Sequence, residues 1–129
     1  MSVSLYAMLT WTTREREGLL DTATAGFLDR FLPPVARRHG AEVLAIGLAQ
    51  DHVHLVLHLD AIVDIPRLVQ GLQGASARVA NRDGVMTDRK LRWAAGYDLR
   101  SISPNRLRHA IRYVETQDQR HPRLAVADR

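Results

Sequence analysis

The sequence contains no cysteine, and this absence excludes several classes of protein. Without a thiol among its 129 residues, the chain cannot form a disulfide scaffold, a thiolate zinc finger, an iron–sulfur cluster or a cysteine nucleophile. A domain of this size buries about two-thirds of its unfolded surface, so such cross-links are not needed for folding. We therefore expect one domain over residues 1–129, with any chemistry supplied by other side chains.

Long apolar runs are missing as well. The N-terminus has no basic segment followed by the apolar stretch of a signal peptide, and no run approaches the roughly 18 residues of a membrane span. Hydrophobic residues make up 46% of the chain and charged residues 25%, which is typical of a globular protein. These features predict a cytoplasmic protein with no membrane partner.

Lysine is almost absent, and the basic charge is uneven. Of the 18 basic residues 17 are arginine, whose planar guanidinium suits phosphate. Residues 1–77 contain 6 basic and 8 acidic residues, a balance of −2, whereas residues 78–129 contain 12 and 6, a balance of +6. The C-terminal part therefore carries the positive charge that a polyanion such as nucleic acid would need.

The order of apolar patterns and turn signals predicts the fold class. The patterns place strands at 3–12, 41–48 and 53–59, a fourth strand or irregular pair between 91 and 102, and helices at 21–38, 66–81 and 104–119. Asp21 is suited to cap the first helix, and Gly40 to end it. The order β-α-β-β-α-β with an extra C-terminal helix indicates a ferredoxin-like α+β sandwich. In such a fold we expect an antiparallel sheet with helices on one face and the other face open.

The stretch at residues 50–60, which includes the third predicted strand, carries three histidines in a regular pattern. Side chains on a strand alternate between faces, so one row is apolar and His52, His54 and His58 belong to the other. His52 and His54 are about 6.6 Å apart along the strand, close enough to share an ion, whereas His58 is about 13 Å from His54. Two explanations remain at this point: a metal site that needs a further ligand, or an ordinary half-exposed strand.

The C-terminal helix presents a tyrosine beside its apolar stripe. The stripe is formed by Leu107, Ala110, Ile111 and Val114. Tyr113 lies on its flank, with Gln117 one turn beyond and Arg106 two turns before. Tyr113 is either a boundary residue with a wet hydroxyl or a phenolic nucleophile. A nucleophilic phenol would need positive charge nearby, because its ordinary pKa is about 10.

Together these segments resemble a known family. The motif Asp51-His52-Val53-His54-Leu55, the helix at 66–76, Trp93 with Gly96-Tyr97, and the spacing from Tyr113 to Gln117 occur in this order over most of the chain. The sequence resembles the single-tyrosine transposases of the HUH endonuclease superfamily. Small bacterial and archaeal insertion sequences that move as single-stranded DNA encode these enzymes.

The resemblance implies a mechanism and a set of partners. His52, His54 and Gln117 would bind Mg²⁺ or Mn²⁺, and Tyr113 would cleave single-stranded DNA, leaving a 5′-phosphotyrosine bond and a free 3′-hydroxyl. Members of the family act as homodimers, in which one subunit's tyrosine helix can complete the other's site, and they recognise hairpins at the element ends. The resemblance agrees with the ferredoxin-like prediction.

Five arginines are candidates for contacts with DNA phosphates: Arg14, Arg16, Arg78, Arg106 and Arg112. Three alternatives to a transposase stay open. One is a domesticated HUH nuclease that cuts host repeat hairpins, and a second is a non-catalytic single-strand binder, which would be expected to expose aromatics on its sheet. The third is a plain globular domain in which the histidines and the tyrosine are incidental.

Overall fold

The computed structural model describes residues 4–116 and Val126. The predictions made for Gln117 and for the end of the C-terminal helix lie outside these residues. The four strands are β1 (Leu5–Thr12), β2 (Ala41–Leu48), β3 (His52–Leu59) and β4 (Asp98–Ile102). They form one sheet in the order β2-β3-β1-β4, and every neighbouring pair is antiparallel. The predicted α+β fold is confirmed.

The helices are α1 (Thr22–Arg38), α2 (Ile65–Gln70), α3 (Ser76–Arg82) and α4 (Leu107–Glu115). A π-helical segment, Gly71–Ala75, joins α2 to α3, so the helix expected near 66–81 forms as three segments. Short 3₁₀ helices, Arg14–Arg16 and Pro104–Arg106, follow β1 and precede α4. None of the helices in the described ranges has the length and apolarity needed to cross a membrane.

Helix α1 begins and ends where the sequence predicts. The carboxylate of Asp21 accepts a hydrogen bond from the backbone N–H of Thr24 at 2.8 Å, as an N-cap residue does. Gly40, just past the end, has φ of +82°, a conformation that few other residues adopt. Pro33 and Pro34 lie inside the helix without ending it.

The main core lies between the sheet and helices α1 to α3. The apolar row of β3, predicted from alternation, is fully buried at Val53, Leu55 and Leu57. It packs in one cluster with Leu28 of α1 and Leu72 of the π-helical segment. Burial of this row fixes the face of β3 that the histidines occupy, because neighbouring side chains point in opposite directions.

The opposite face is partly covered, so the expectation of an open face is wrong over β2 and β3. Helix α4 packs there, and its Ala110 and Val114 form a second buried cluster with Ala45 and Val56. The physical reason is that Val56 gives the histidine row an apolar member for the stripe of α4 to cover. His52, on the same face, is also buried, with 7% of its surface exposed.

The connection between α3 and β4 is mostly irregular. Where a strand or irregular pair was expected, between 91 and 102, a regular strand forms at Asp98–Ile102, and Trp93 makes an isolated bridge with Thr13. Asn81 fixes this connection, because its side-chain amide donates to the carbonyl of Leu91 at 3.0 Å and accepts from its N–H at 2.7 Å. Before α4, Ser103 precedes the 3₁₀ turn, but its side chain makes no capping hydrogen bond.

Candidate active site

The two histidines predicted to converge lie side by side on the face that α4 partly covers. The ring centroids of His52 and His54 are 4.7 Å apart and the rings are nearly perpendicular, at 76°. Both residues belong to β3, which is paired on both sides, by β1 and by β2. The strand pairing therefore holds their backbones in fixed positions.

Each imidazole is held by a hydrogen bond at Nδ1. For His52 the partner is the carboxylate of Asp51, whose Oδ1 lies 2.7 Å away. Because an ionised carboxylate only accepts hydrogen bonds, Nδ1 of His52 is the donor. For His54 the partner is the hydroxyl of Thr10, at 2.8 Å. With Nδ1 of each ring engaged, Nε2 is the nitrogen that would bind a metal ion.

Asp51 joins His52 to a basic side chain. Its Oδ2 accepts a hydrogen bond from Nε of Arg16 at 3.0 Å. Burial on its own would raise the pKa of the Asp51 carboxyl, but the hydrogen bonds from His52 and Arg16 outweigh it and hold that pKa below its ordinary value. Asp51 is thus a carboxylate at neutral pH.

Arg16 contacts the Asp51 carboxylate from an unusual backbone conformation. Glu15 and Arg16 have φ of +55° and +56°, a left-handed conformation that is uncommon for residues other than glycine. The adjoining Thr13 binds the same loop: its N–H donates to the carbonyl of Asp51 at 2.8 Å, and its hydroxyl contacts that carbonyl at 3.3 Å. The end of β1 and the start of β3 therefore form one bonded unit.

The donor set fits part of a divalent metal site. Two imidazoles on one face supply two nitrogens, which is a pair that Mn²⁺ and similar ions accept. Within residues 4–116 and Val126, no group of three or more His, Asp or Glu side chains is arranged to hold an ion. A site at the histidines would therefore need a further ligand, and the predicted one, Gln117, lies outside the described residues.

Tyr113 belongs to the helix that packs on the same face as the histidines. Its side chain is half-buried and packs against the cluster formed by Ala45, Val56, Ala110 and Val114. This agrees with the flank position predicted from helical spacing. The ring of Tyr113 therefore packs at the edge of this cluster, whose member Val56 belongs to the same row of β3 as His52 and His54.

The candidate arginines lie in three places. Arg14 and Arg16, both exposed, follow the end of β1, and Arg16 contacts Asp51, the partner of His52. Arg106 precedes α4, and the exposed Arg112 lines a groove on that helix. The exposed Arg78 lies on α3, which packs on the opposite side of the sheet, so the structure does not bring it to the histidine pair.

His58, which the strand spacing separates from the pair, has a different environment. It lies opposite Tyr6 on β1, and the two rings are 5.1 Å apart between centroids. Its contact is thus an aromatic one at the far end of the strand.

Sequence reasoning missed the residues that orient the histidines. Asp51 was recognised only as part of the His52–His54 motif. Its place directly before His52 could have indicated a carboxylate–imidazole pair. Thr10 gave no local signal, because it meets His54 only through the register of β1 against β3.

Comparisons with known proteins identify the family of this chain. Residues 1–117 match the family described as "Transposase IS200 like". The ISDra2 transposase TnpA of Deinococcus radiodurans is 31% identical over 113 residues, which cover 84% of this chain and 81% of that protein.

Two solved structures have a similar fold. One, described as a candidate transposase of Deinococcus radiodurans R1, has a TM-score of 0.73 and 27% identity, with 91% of this chain and 93% of that chain covered. The other is a REP-associated tyrosine transposase bound to a REP hairpin, with a TM-score of 0.68 and 15% identity over 94% of this chain and 70% of that one. At that identity the second likeness concerns the fold alone. The family match and the identity to the ISDra2 enzyme show that this chain belongs to the IS200-like transposases.

Proposed function

We propose that this transposase cleaves and rejoins single-stranded DNA through a covalent bond between Tyr113 and a 5′-phosphate. The observation that carries the proposal is the shared face: β3 presents two imidazoles anchored at Nδ1, and α4 packs Tyr113 against that face. A nucleophile and a pair of metal-binding nitrogens on one surface are the parts that phosphoryl transfer requires.

The reaction can be written for this chain's own residues. The Tyr113 hydroxyl attacks phosphorus and loses its proton, an oxygen–phosphorus bond forms, and the 3′-oxygen of the upstream strand leaves and is protonated. Rejoining is the reverse reaction with a different 3′-hydroxyl, so each bond broken is replaced by one of the same type. No external energy source is then needed.

His52, His54 and Gln117 would hold Mg²⁺ or Mn²⁺ in this proposal. Such an ion, when bound, polarises the scissile phosphate and stabilises the charge that develops on its oxygens. The protein orients the two rings. Because Nδ1 of each ring is hydrogen-bonded, Nε2 of that ring points away from the hydrogen-bond partner.

The proposed substrate is single-stranded DNA with hairpin-forming element ends, bound in the cytoplasm by a homodimer. Four exposed arginines are suited to contact flanking phosphates: Arg14 and Arg16 after β1, Arg106 at the start of α4, and Arg112 on that helix. A non-catalytic single-strand binder would stack bases on sheet aromatics. The central strand β3 instead presents His52 and His54 on the face shared with α4.

The test is covalent capture. Single-stranded DNA from the flanks of the gene, labelled on the 3′ side of the expected cut, is incubated with the protein and Mn²⁺, and the products are separated under denaturing conditions. The wild type should form a labelled adduct that chelation abolishes. Tyr113→Phe should form none, whereas Tyr97→Phe, which alters a 43% exposed tyrosine outside α4, should react like the wild type. An adduct that persists in Tyr113→Phe would refute the proposed nucleophile.

A further inference from the structure

A bonded chain of three side chains runs from the surface to the buried histidine. Nε of Arg16 donates to Oδ2 of Asp51 at 3.0 Å, and Oδ1 of Asp51 accepts from Nδ1 of His52 at 2.7 Å. The Arg16 side chain is 59% exposed, whereas the side chains of Asp51 and His52 are only 8% and 9% exposed. Each oxygen of the Asp51 carboxylate has its own partner, Arg16 for Oδ2 and His52 for Oδ1.

We propose that Asp51, held by Arg16, is a positioning residue that keeps the proton of His52 on Nδ1 and so presents Nε2 as a metal ligand. This inference rests on the proposed function, because it concerns the same metal site. It assigns Asp51 and Arg16 to orienting a ligand rather than to contacting the reacting atoms.

The chemistry of the pair gives the direction of the effect. A neutral imidazole carries its proton on one nitrogen only, and the other nitrogen has the lone pair that a metal needs. The carboxylate of Asp51 stabilises the form with the proton on Nδ1, because it can accept that hydrogen bond but cannot donate one. The ring is thereby held in one tautomer and in one orientation before any ion arrives.

Burial makes this arrangement persistent. An exposed carboxylate would exchange its partner for water, but the Asp51 side chain is 8% exposed. Rotating it away from His52 would leave Nδ1 of a buried ring without an acceptor, which is energetically unfavourable. The backbone carbonyl of Asp51 is also fixed, because it accepts from the N–H of Thr13 at 2.8 Å.

Arg16 binds Oδ2 of Asp51 from an uncommon backbone conformation. Two successive non-glycine residues, Glu15 and Arg16, adopt positive φ, a conformation with an energetic cost for residues other than glycine. The conformation places the Arg16 guanidinium on Asp51 rather than along β1. The bond to a buried acceptor offsets part of that cost, so the strained turn and the carboxylate stabilise each other's geometry.

The expected size of the effect follows from outer-shell residues in general. Loss of a hydrogen-bond partner of a ligating imidazole lowers metal affinity by about 10–100-fold. We expect the loss of metal affinity in Asp51→Ala to fall in this range. Asp51→Asn keeps an acceptor oxygen but loses the charge. We expect a smaller loss of affinity in this variant and in Arg16→Gln.

The first experiment needs no metal and no variant. In ¹⁵N-labelled, metal-free protein at a pH well above the ordinary imidazole pKa of about 6.5, the ¹⁵N shifts and two-bond couplings of His52 report which nitrogen is protonated. The inference predicts a protonated Nδ1 and an unprotonated Nε2. A proton on Nε2 would overturn it, whatever the protein's activity.

The second experiment measures Mn²⁺ affinity from the electron paramagnetic resonance signal of free Mn²⁺. The matched control is Asp83→Ala, which removes an exposed carboxylate at the end of α3 that is paired with Nε of Arg82 at 2.8 Å in the same way. Asp51→Ala should lose about tenfold or more in affinity while Asp83→Ala matches the wild type. Equal affinities in Asp51→Ala and the wild type would overturn the inference.

The two experiments separate this inference from the proposed function. If Asp51→Ala does not fold, Arg16→Gln and the tautomer measurement on the wild type still decide. If the wild type shows the predicted tautomer but binds no Mn²⁺, the proposed metal site is wrong and the tautomer assignment is supported. If the wild type binds Mn²⁺ through a His52 protonated on Nε2, the site stands and the role of Asp51 is wrong.

Discussion

The hydroxyl of Thr10 lies 2.8 Å from Nδ1 of His54, across the pairing of β1 with β3. The two residues are directly opposite in the strand register, so their backbones are held together by the sheet. Thr10 thus stands to His54 as Asp51 stands to His52, with a neutral hydroxyl in place of a carboxylate. The histidine pair is fixed from two directions, by a neighbouring strand and by the preceding residue.

Removing this hydroxyl should weaken metal binding more than folding. Thr10→Val keeps the branched shape but leaves Nδ1 of His54 without its partner, so Mn²⁺ affinity should fall by about tenfold. The free energy of unfolding should fall by about 1 kcal/mol. Thr12→Val, on the same face of β1 and opposite His52, is the matched control. Equal Mn²⁺ affinities for the two variants in a titration would contradict an orienting role for Thr10.

Gly71 should be sensitive to a methyl group because of the imidazole beside it. A Cβ at this position would lie 2.6 Å from Nε2 of His39, so Gly71→Ala must displace that ring. The displacement should cancel the roughly 1 kcal/mol that alanine gains over glycine in a helix. In the same π-helical segment, Gly74 has nothing within 4 Å of its added Cβ, and Gly74→Ala should stabilise the fold by up to about 1 kcal/mol.

A double-mutant cycle tests this explanation for Gly71. In a His39→Ala background the obstacle is gone, so Gly71→Ala should there become stabilising, like Gly74→Ala. Denaturant unfolding of the four proteins gives the coupling energy, which we expect to be about 1 kcal/mol. Additive effects of the two substitutions would show that the imidazole is not the obstacle.

The attachment of α4 should depend on one buried valine. Val114 is 1% exposed and packs with Val56 in the smaller of the two clusters. Val114→Ala should cost about 2 kcal/mol and speed amide hydrogen exchange in α4 more than in β3, because α4 rests on fewer buried groups. Arg108→Ala, an exposed change on the same helix, should leave exchange unaltered. Unchanged α4 exchange in Val114→Ala would contradict this packing.

Asp51 should contribute to acid sensitivity of the metal-free protein. Its pKa is below the ordinary 3.8, because the bonds from His52 and Arg16 outweigh the opposing effect of burial. A lowered pKa in the folded state means that its stabilisation is present above pH 3.8 and is lost as the pH falls through the folded value. The stability gap between the wild type and Asp51→Asn should therefore shrink over that range. A gap that widens on acidification in urea titrations would contradict the sign.

Much of the fold could be predicted, because its signals are local. The alternation of β3 identified the buried row and the histidine row, Asp21 marked the start of α1, and Gly40 marked its end. The apolar stripe of α4 placed Tyr113 on a flank. Each of these depends on residues within one element, where spacing alone fixes which side chains share a face.

The rest depends on contacts between distant parts of the chain. The stripe of α4 does not say which surface it covers, so the packing of Val114 on Val56 was missed. The Thr10 partner of His54 requires the register of β1 against β3. The left-handed Glu15 and Arg16 have no glycine to signal them, because the bond to Asp51 stabilises a conformation that local preference disfavours.

The most direct test of the proposed function is to locate the covalent bond. The adduct formed with single-stranded DNA and Mn²⁺ is digested with nuclease and protease, and the modified peptide is sequenced by mass spectrometry. The predicted result is a nucleotide joined by its 5′-phosphate to Tyr113, with a free 3′-hydroxyl on the released strand. A nucleotide on another residue, or a 3′-phosphate on the released strand, would contradict the proposal.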